Sequence, residues 1–271
     1  MNGVFFSVAL IFILGTHEMG HYVYGKKYGV DITPPYFIPA PPFISPIGTF
    51  GAFIKIKSAI STKKALFDIG IAGPLAGIVA AIPVIIIGIR LSKVVEVTDK
   101  SLEYGITLGS PLLFSLISDS VLGKIPEGYD LLLHPVAFAG WIGLFVTALN
   151  LIPAGQLDGG HIIYAIFSRK WHRRFSIFII IFLIVFGVGT KAIFSYFMPL
   201  IEGNNLGAYT EMISFEGWGG WVMWAAILTI MGTNHPPTRY DEIKLDGNRV
   251  FLSFVSLLVF IGCFTPLPIK I

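Results

Sequence analysis

Charge is what this sequence has least of: only 13% of its 271 residues are Asp, Glu, Lys or Arg, while 54% are hydrophobic. A soluble domain carries about 25% charged residues. The deficit excludes an ordinary soluble domain, and the long apolar runs put the chain among integral membrane proteins. Cysteine is nearly absent as well. Cys263 stands alone, so no disulfide forms within the chain. A strong basic excess is missing: the net charge is +3 and the basic residues fall in loops, which tells against nucleic-acid binding. The first residues lack the basic region and small-residue cleavage site of a signal peptide, so the N-terminal apolar run is expected to stay as a helix. No inverted repeat is visible, which tells against a transporter.

Apolar runs occur at 3–28, 65–90, 132–153, 175–199, 218–233 and 250–267, the last two near the lower limit for a span. The run at 111–123 is too short to cross and reads as an interfacial helix. The expected fold is an all-α polytopic membrane protein with about six transmembrane helices. It forms a single domain over 1–271, with a core at 1–170 and peripheral helices at 175–267. Residues 31–58 break the pattern. Six prolines between 34 and 46 forbid a helix, and GTFGAFIKIK alternates like a strand. This stretch is too apolar for a solvated loop. A re-entrant loop with a short β-hairpin is expected there, its strand edge at 48–57 available to an extended peptide.

Basic residues orient the bundle. Lys26, Lys27, Lys55, Lys57, Lys63 and Lys64 lie between the first two runs, and Arg169, Lys170, Arg173 and Arg174 between the third and fourth. Arg239, Lys244 and Arg249 lie between the fifth and sixth, while 200–217 has no Lys or Arg. The positive-inside rule puts the basic loops in the cytosol and the N-terminus outside. Trp218, Trp221 and Trp224 read as an interfacial belt, and Lys191 as a residue that snorkels.

Against this apolar background stands His17-Glu18-Met19-Gly20-His21. Positions i and i+4 share a helix face, so both imidazoles can reach one metal ion. Glu18 occupies the place of the general base in an HExxH pattern. A charged residue at membrane depth is a functional hypothesis by default. The rise per residue puts the pair roughly 8–14 Å below the cytosolic surface at Lys26.

A catalytic zinc takes three protein ligands and keeps one position open. The third run ends in NLIPAGQLDGGH (150–161) at the same cytosolic-side depth. Asp158 supplies an oxygen ligand there, and the Asn150 amide can donate to an oxyanion. Thr16, Tyr22, Tyr24 and Gln156 can help wet the cavity. Other residues carry duller readings. His161 sits beside the metal or simply near the interface, His134 at the outer interface, His172 among headgroups, and His235 in a loop or cap. Gly73, Ala76, Gly77 and their small neighbours read as a stripe that lets helices approach. Asp68 reads as a complement to its helix dipole.

HEMGH, GPLAG and NLIPAGQLDGG, with PPYFIPAPP and GTFGAFIKIKS between the first two, resemble the site-2 protease family of intramembrane zinc metalloproteases, in the subgroup without a PDZ domain. The resemblance covers roughly residues 10–170. It implies one zinc held by His17, His21 and Asp158, Glu18 as base and Asn150 as an assisting polar group. It also implies a transmembrane protein as substrate, cut within the lipid bilayer by regulated intramembrane proteolysis. By default the membrane is the cell membrane, with the site toward the cytosol. Two rivals stay open: a membrane zinc protease cutting peptides at the cytosolic face, and a zinc-binding membrane protein without chemistry.

Overall fold

The computed structural model describes residues 2–40, 49–97, 107–190, 192–193, 215–241 and 244–270. Eight helices dominate the described residues. They are α1 (Asn2–Lys27), α2 (Lys63–Leu91), α3 (Leu112–Leu122), α4 (Pro135–Asn150), α5 (Asp158–Ile166), α6 (Arg169–Val188), α7 (Gly220–Met231) and α8 (Gly247–Cys263). Six short strands pair two by two and antiparallel: β1 (Tyr36–Pro39) with β2 (Thr49–Phe53), β3 (Lys93–Glu96) with β5 (Tyr129–Leu132), and β4 (Thr107–Leu108) with β6 (Ile269–Lys270).

The helix ends follow local chemistry. Lys26 and Lys27 place positive charge on the last turn of α1, where the dipole favours it. Gly29 then takes φ +68°, and the Val30 amide reaches back to the Gly25 carbonyl at 2.9 Å. This is a Schellman stop, which a β-carbon at Gly29 would strain. Helix α2 starts where the Thr62 hydroxyl accepts from the Ala65 amide at 3.1 Å.

Helices α1, α2 and α6 are long and apolar enough to cross a membrane. Helices α4, α7 and α8, at 16, 12 and 17 residues, fall short of the roughly 20 that a bilayer core needs. All six expected runs are therefore helical, and three carry spanning length. The run at 132–153 shortens because His134 caps α4 from outside and Pro135 occupies its first turn. Lys191 and residues 194–214 lie outside the described residues. Where a short hairpin is expected, β1 and β2 pair antiparallel, and the residues between them, 41–48, lie outside the described residues. Phe37 and Ala52 from this pair pack on the cluster containing Leu10, Ile13 and Leu14 of α1.

Helix α2 is the central post. In its most apolar window 67% of residues are buried, against 28% in α1 and 22% in α6. Its neighbours come close because small residues face each other. A β-carbon at Gly20 of α1 would overlap the Ala72 carbonyl of α2, and one at Gly88 would overlap the Ala137 backbone of α4. Such contacts let helix backbones pack at short range in a membrane.

Two side chains depart from their sequence readings. Asp68 lies past the first turn of α2 and binds the Arg249 guanidinium of α8 at 2.6 and 2.8 Å, with the Tyr28 hydroxyl on the same carboxylate. It is a cross-helix ion pair, not a dipole complement. Trp221 is fully buried and donates to the Pro266 carbonyl at 2.7 Å, so it belongs to the core and not to an interfacial belt. Replacing Arg249 by Ala strands the Asp68 carboxylate in a mostly buried site. The expected loss is about 2 kcal/mol, below the 3–5 of a fully buried pair. Thermal unfolding in detergent should show a lowered midpoint, and Arg249→Lys should recover only part of it because Lys lacks the two-pronged geometry.

Candidate metal centre

His17 and His21 stand one turn apart on the face of α1 that meets α2, and both are buried. Their Nε2 atoms are 3.1 Å apart. Asp158 comes from the start of α5, and its Oδ2 lies 3.2 Å from His17 Nε2 and 3.3 Å from His21 Nε2. Among the described residues this is the group of acidic, imidazole and thiol side chains whose ligand atoms gather within 4.8 Å. Two ligands about 2.0–2.2 Å from a tetrahedral ion lie roughly 3.3–3.6 Å apart. The three separations are close to the edges of such a tetrahedron, and three donors leave its fourth corner for another molecule. Nitrogen and carboxylate oxygen are donors that zinc accepts. The residues therefore fit the ion.

Three local arrangements aim these atoms. His21 donates from Nδ1 to the Ile69 carbonyl at 2.7 Å, which leaves the Nε2 lone pair directed at the cluster. Gly73 and Gly77 of α2 lie against the two imidazoles. A β-carbon at Gly73 would overlap the His21 ring, and one at Gly77 would sit 3.1 Å from His17 Nδ1. The small-residue stripe thus clears space for the rings, beyond packing helix on helix.

Asp158 is delivered by the turn between α4 and α5. Gly155 takes φ +57°, and β-carbons at Gly159 or Gly160 would overlap or crowd the Leu151 and Gly155 carbonyls. The chain folds back on itself and starts α5 at the carboxylate. His172 pins this turn. It is fully buried and donates from Nε2 to the Gly155 carbonyl at 3.0 Å, while the Ser176 hydroxyl accepts from the Gly155 amide at 3.1 Å. The expectation of a headgroup contact for His172 is corrected accordingly: the basic residues around it face out while its ring turns in.

Asn150 ends α4 with its Nδ2 3.4 Å from His17 Nε2. Glu18 is half-buried on α1 between His17 and His21 in sequence. The Thr16 hydroxyl donates to the Phe12 carbonyl of its own helix at 2.7 Å. His161, one turn beyond Asp158, donates from Nδ1 to His235 Nε2 at 2.7 Å, and His235 donates from Nδ1 to the Pro236 carbonyl at 2.6 Å. Burial pushes His235 down to about 4, so its ring is neutral and can accept this bond. Tyr164 stacks on His235 and donates to Asp241 at 3.0 Å. The segment 235–241 is thereby clasped onto α5. His134 caps the start of α4, at the opposite end of that helix from Asn150.

Gly73→Ala drives a methyl into the His21 ring. It should weaken metal binding about 10–100-fold, the usual cost of disturbing a ligand's support. Gly3→Ala, which meets nothing within 4 Å, should leave metal binding unchanged. Metal content after dialysis against graded chelator measures both.

Comparison with known proteins matches the sequence that carries this arrangement to one family. The family model described as Peptidase family M50 matches residues 5–190. The probable zinc metalloprotease EGY2, chloroplastic, of Arabidopsis thaliana is 32% identical over 167 residues, which are 60% of this chain and 29% of the relative. The probable zinc metalloprotease EGY1, chloroplastic, of Oryza sativa subsp. japonica is 35% identical over 161 residues, 56% of this chain and 26% of the relative. The chain thus spans less than a third of the length of these relatives. No solved structure matches it. The relatives' names place them in the chloroplast, so the default of a cell membrane finds no support. The matched segment contains both the histidine pair and the Asp158 turn, and the chain belongs to peptidase family M50, the site-2 protease family.

Proposed function

We propose that this chain is a membrane-embedded zinc endopeptidase that hydrolyses peptide bonds in or near the transmembrane segments of other proteins. One observation carries the reading: two imidazoles and a carboxylate converge at 3.1–3.3 Å within a buried, apolar helix packing. Buried polar groups are costly in a membrane protein unless they have a task. The relatives' names as probable zinc metalloproteases support the same ion and chemistry.

His17, His21 and Asp158 would hold the zinc. When bound, the ion polarises a carbonyl and acidifies water to a pKa of about 7. The Glu18 carboxylate takes a proton from the attacking water as its oxygen bonds to the scissile carbon. It passes that proton to the amide nitrogen as the C–N bond breaks. The second proton of the water leaves the new carboxylic acid for the freed amine, so the products are a carboxylate and an ammonium, and Glu18 returns to its starting charge. The Asn150 amide donates to the carbonyl oxygen as negative charge builds there.

A helix hides its peptide bonds, so a membrane substrate must unwind locally before it is cut. The β1–β2 pair offers strand edges for the extended segment. Between β1 and α1 runs an open apolar groove of about 490 Å³, lined by Gly15, Thr16, Met19, Pro34, Pro35 and Phe37 among others. Gly15 lies three residues before Glu18, on a neighbouring stretch of the same helix side. We further read the hairpin as re-entrant, the chain as one domain with about six membrane segments, and the site as lying toward the cytosolic face that bears the Lys and Arg loops.

Cleavage of a single-span reporter in liposomes tests the reading. The unaltered chain should cut within the apolar stretch. Glu18→Gln should keep its zinc and lose about 10²–10⁴ of the rate. Chelation should abolish cleavage and zinc should restore it. Cutting only of a soluble peptide would favour action at the membrane face, and zinc binding with full activity in Glu18→Gln would remove the proposed base.

A further inference from the structure

A second, larger cavity than the groove beside β1 lies at the other end of α1 from His17 and His21. It encloses about 770 Å³, within the 300–1,000 Å³ typical of small-molecule sites. Phe6 is 11 residues before His17, so the cavity lies roughly 16 Å along the helix axis from the metal centre. It is bounded by the start of α1, helix α3, the start of α4 and strands β3, β4 and β5.

One wall is aromatic and continuous. Phe6 stacks on Phe138 with centroids 5.6 Å apart, and Phe138 stacks on Trp141 at 6.2 Å. The Trp141 indole donates to the Gly109 carbonyl at 2.7 Å, which fixes the ring. The rim is acidic. Glu96, Asp119 and Asp130 line the opening with exposed side chains, and among the described lining residues there is no Lys, Arg or His. The three carboxylates do not gather within metal-ligating distance, unlike His17, His21 and Asp158. They are therefore no cage for a small divalent ion. Spread negative charge around a stacked aromatic wall suits a larger cation whose charge is carried on an apolar body.

We propose that this cavity binds a compact organic cation of the aryl- or alkylammonium class, its apolar body against Phe6, Phe138 and Trp141 and its charge facing Glu96, Asp119 and Asp130. The site is separate from the metal centre and does not depend on the peptidase reading. The same charges turn away anions of equal size.

Calorimetric titration of the full chain, in an uncharged maltoside detergent, tests this with phenyltrimethylammonium as the probe. Saturable binding is expected. The Asp119→Asn/Asp130→Asn double variant should weaken it about tenfold, with metal content unchanged. Phe138→Leu should weaken it as well, through the wall instead of the rim. Benzenesulfonate, with the same ring and the opposite charge, should not bind, and calcium should not compete. Absence of saturable binding overturns the proposal. So does equal affinity in the double variant, equal affinity for benzenesulfonate, or displacement by calcium.

Discussion

Everything at the metal centre depends on how closely α1 lies against α2. The Gly20–Ala72 approach fixes that distance, and the two glycines of α2 opposite the histidines leave just the volume of two imidazole rings. Lipid tails are as apolar as Leu, so burying apolar surface does little to drive helices together in a membrane. Close packing of small residues does more. The consequence is chemical as well as mechanical. Only at this separation does the Ile69 carbonyl reach His21 Nδ1 and set the tautomer that presents Nε2 to the cluster.

The second requirement is a sharp reversal of the chain after α4. A helix continuing past Asn150 would carry Asp158 about 12 Å further along its axis. Instead the Pro153–Gly155 turn folds α5 back, and His172 and Ser176 hold that turn from α6. The clasp of His235 and Asp241 onto α5 then ties the segment between α7 and α8 to the same element. The Asp158 carboxylate is thus supported from two directions by elements that contribute no residue to the candidate metal cluster.

The spacing of His17 and His21 was legible because helical period alone places i and i+4 together. Asp158 was legible as a candidate from its glycines and its depth, although it meets His17 across 141 residues of sequence. The glycines of α2 were recognised as a packing stripe, but nothing local says that imidazoles are what they make room for. The Ile69 carbonyl could not be found at all, since main-chain oxygens carry no sequence signature. The misread residues share one cause. Asp68 answers to Arg249, 181 residues away, and His172 answers to a carbonyl in a neighbouring turn. Neighbours in sequence suggested a dipole and a headgroup, and tertiary partners overrode both. Helix lengths were less legible than helix positions, because apolar runs include capping residues that the helices leave out, such as His134 before α4.

X-ray absorption at the zinc edge of the purified chain tests the central claim most directly. One zinc per chain is expected, with nitrogen and oxygen neighbours at about 2.0–2.2 Å and two imidazole rings. Asp158→Asn should alter that shell while the imidazole signal persists. A sulfur neighbour at about 2.3 Å, or a shell unchanged by the Asp158 and His21 substitutions, would contradict the claim.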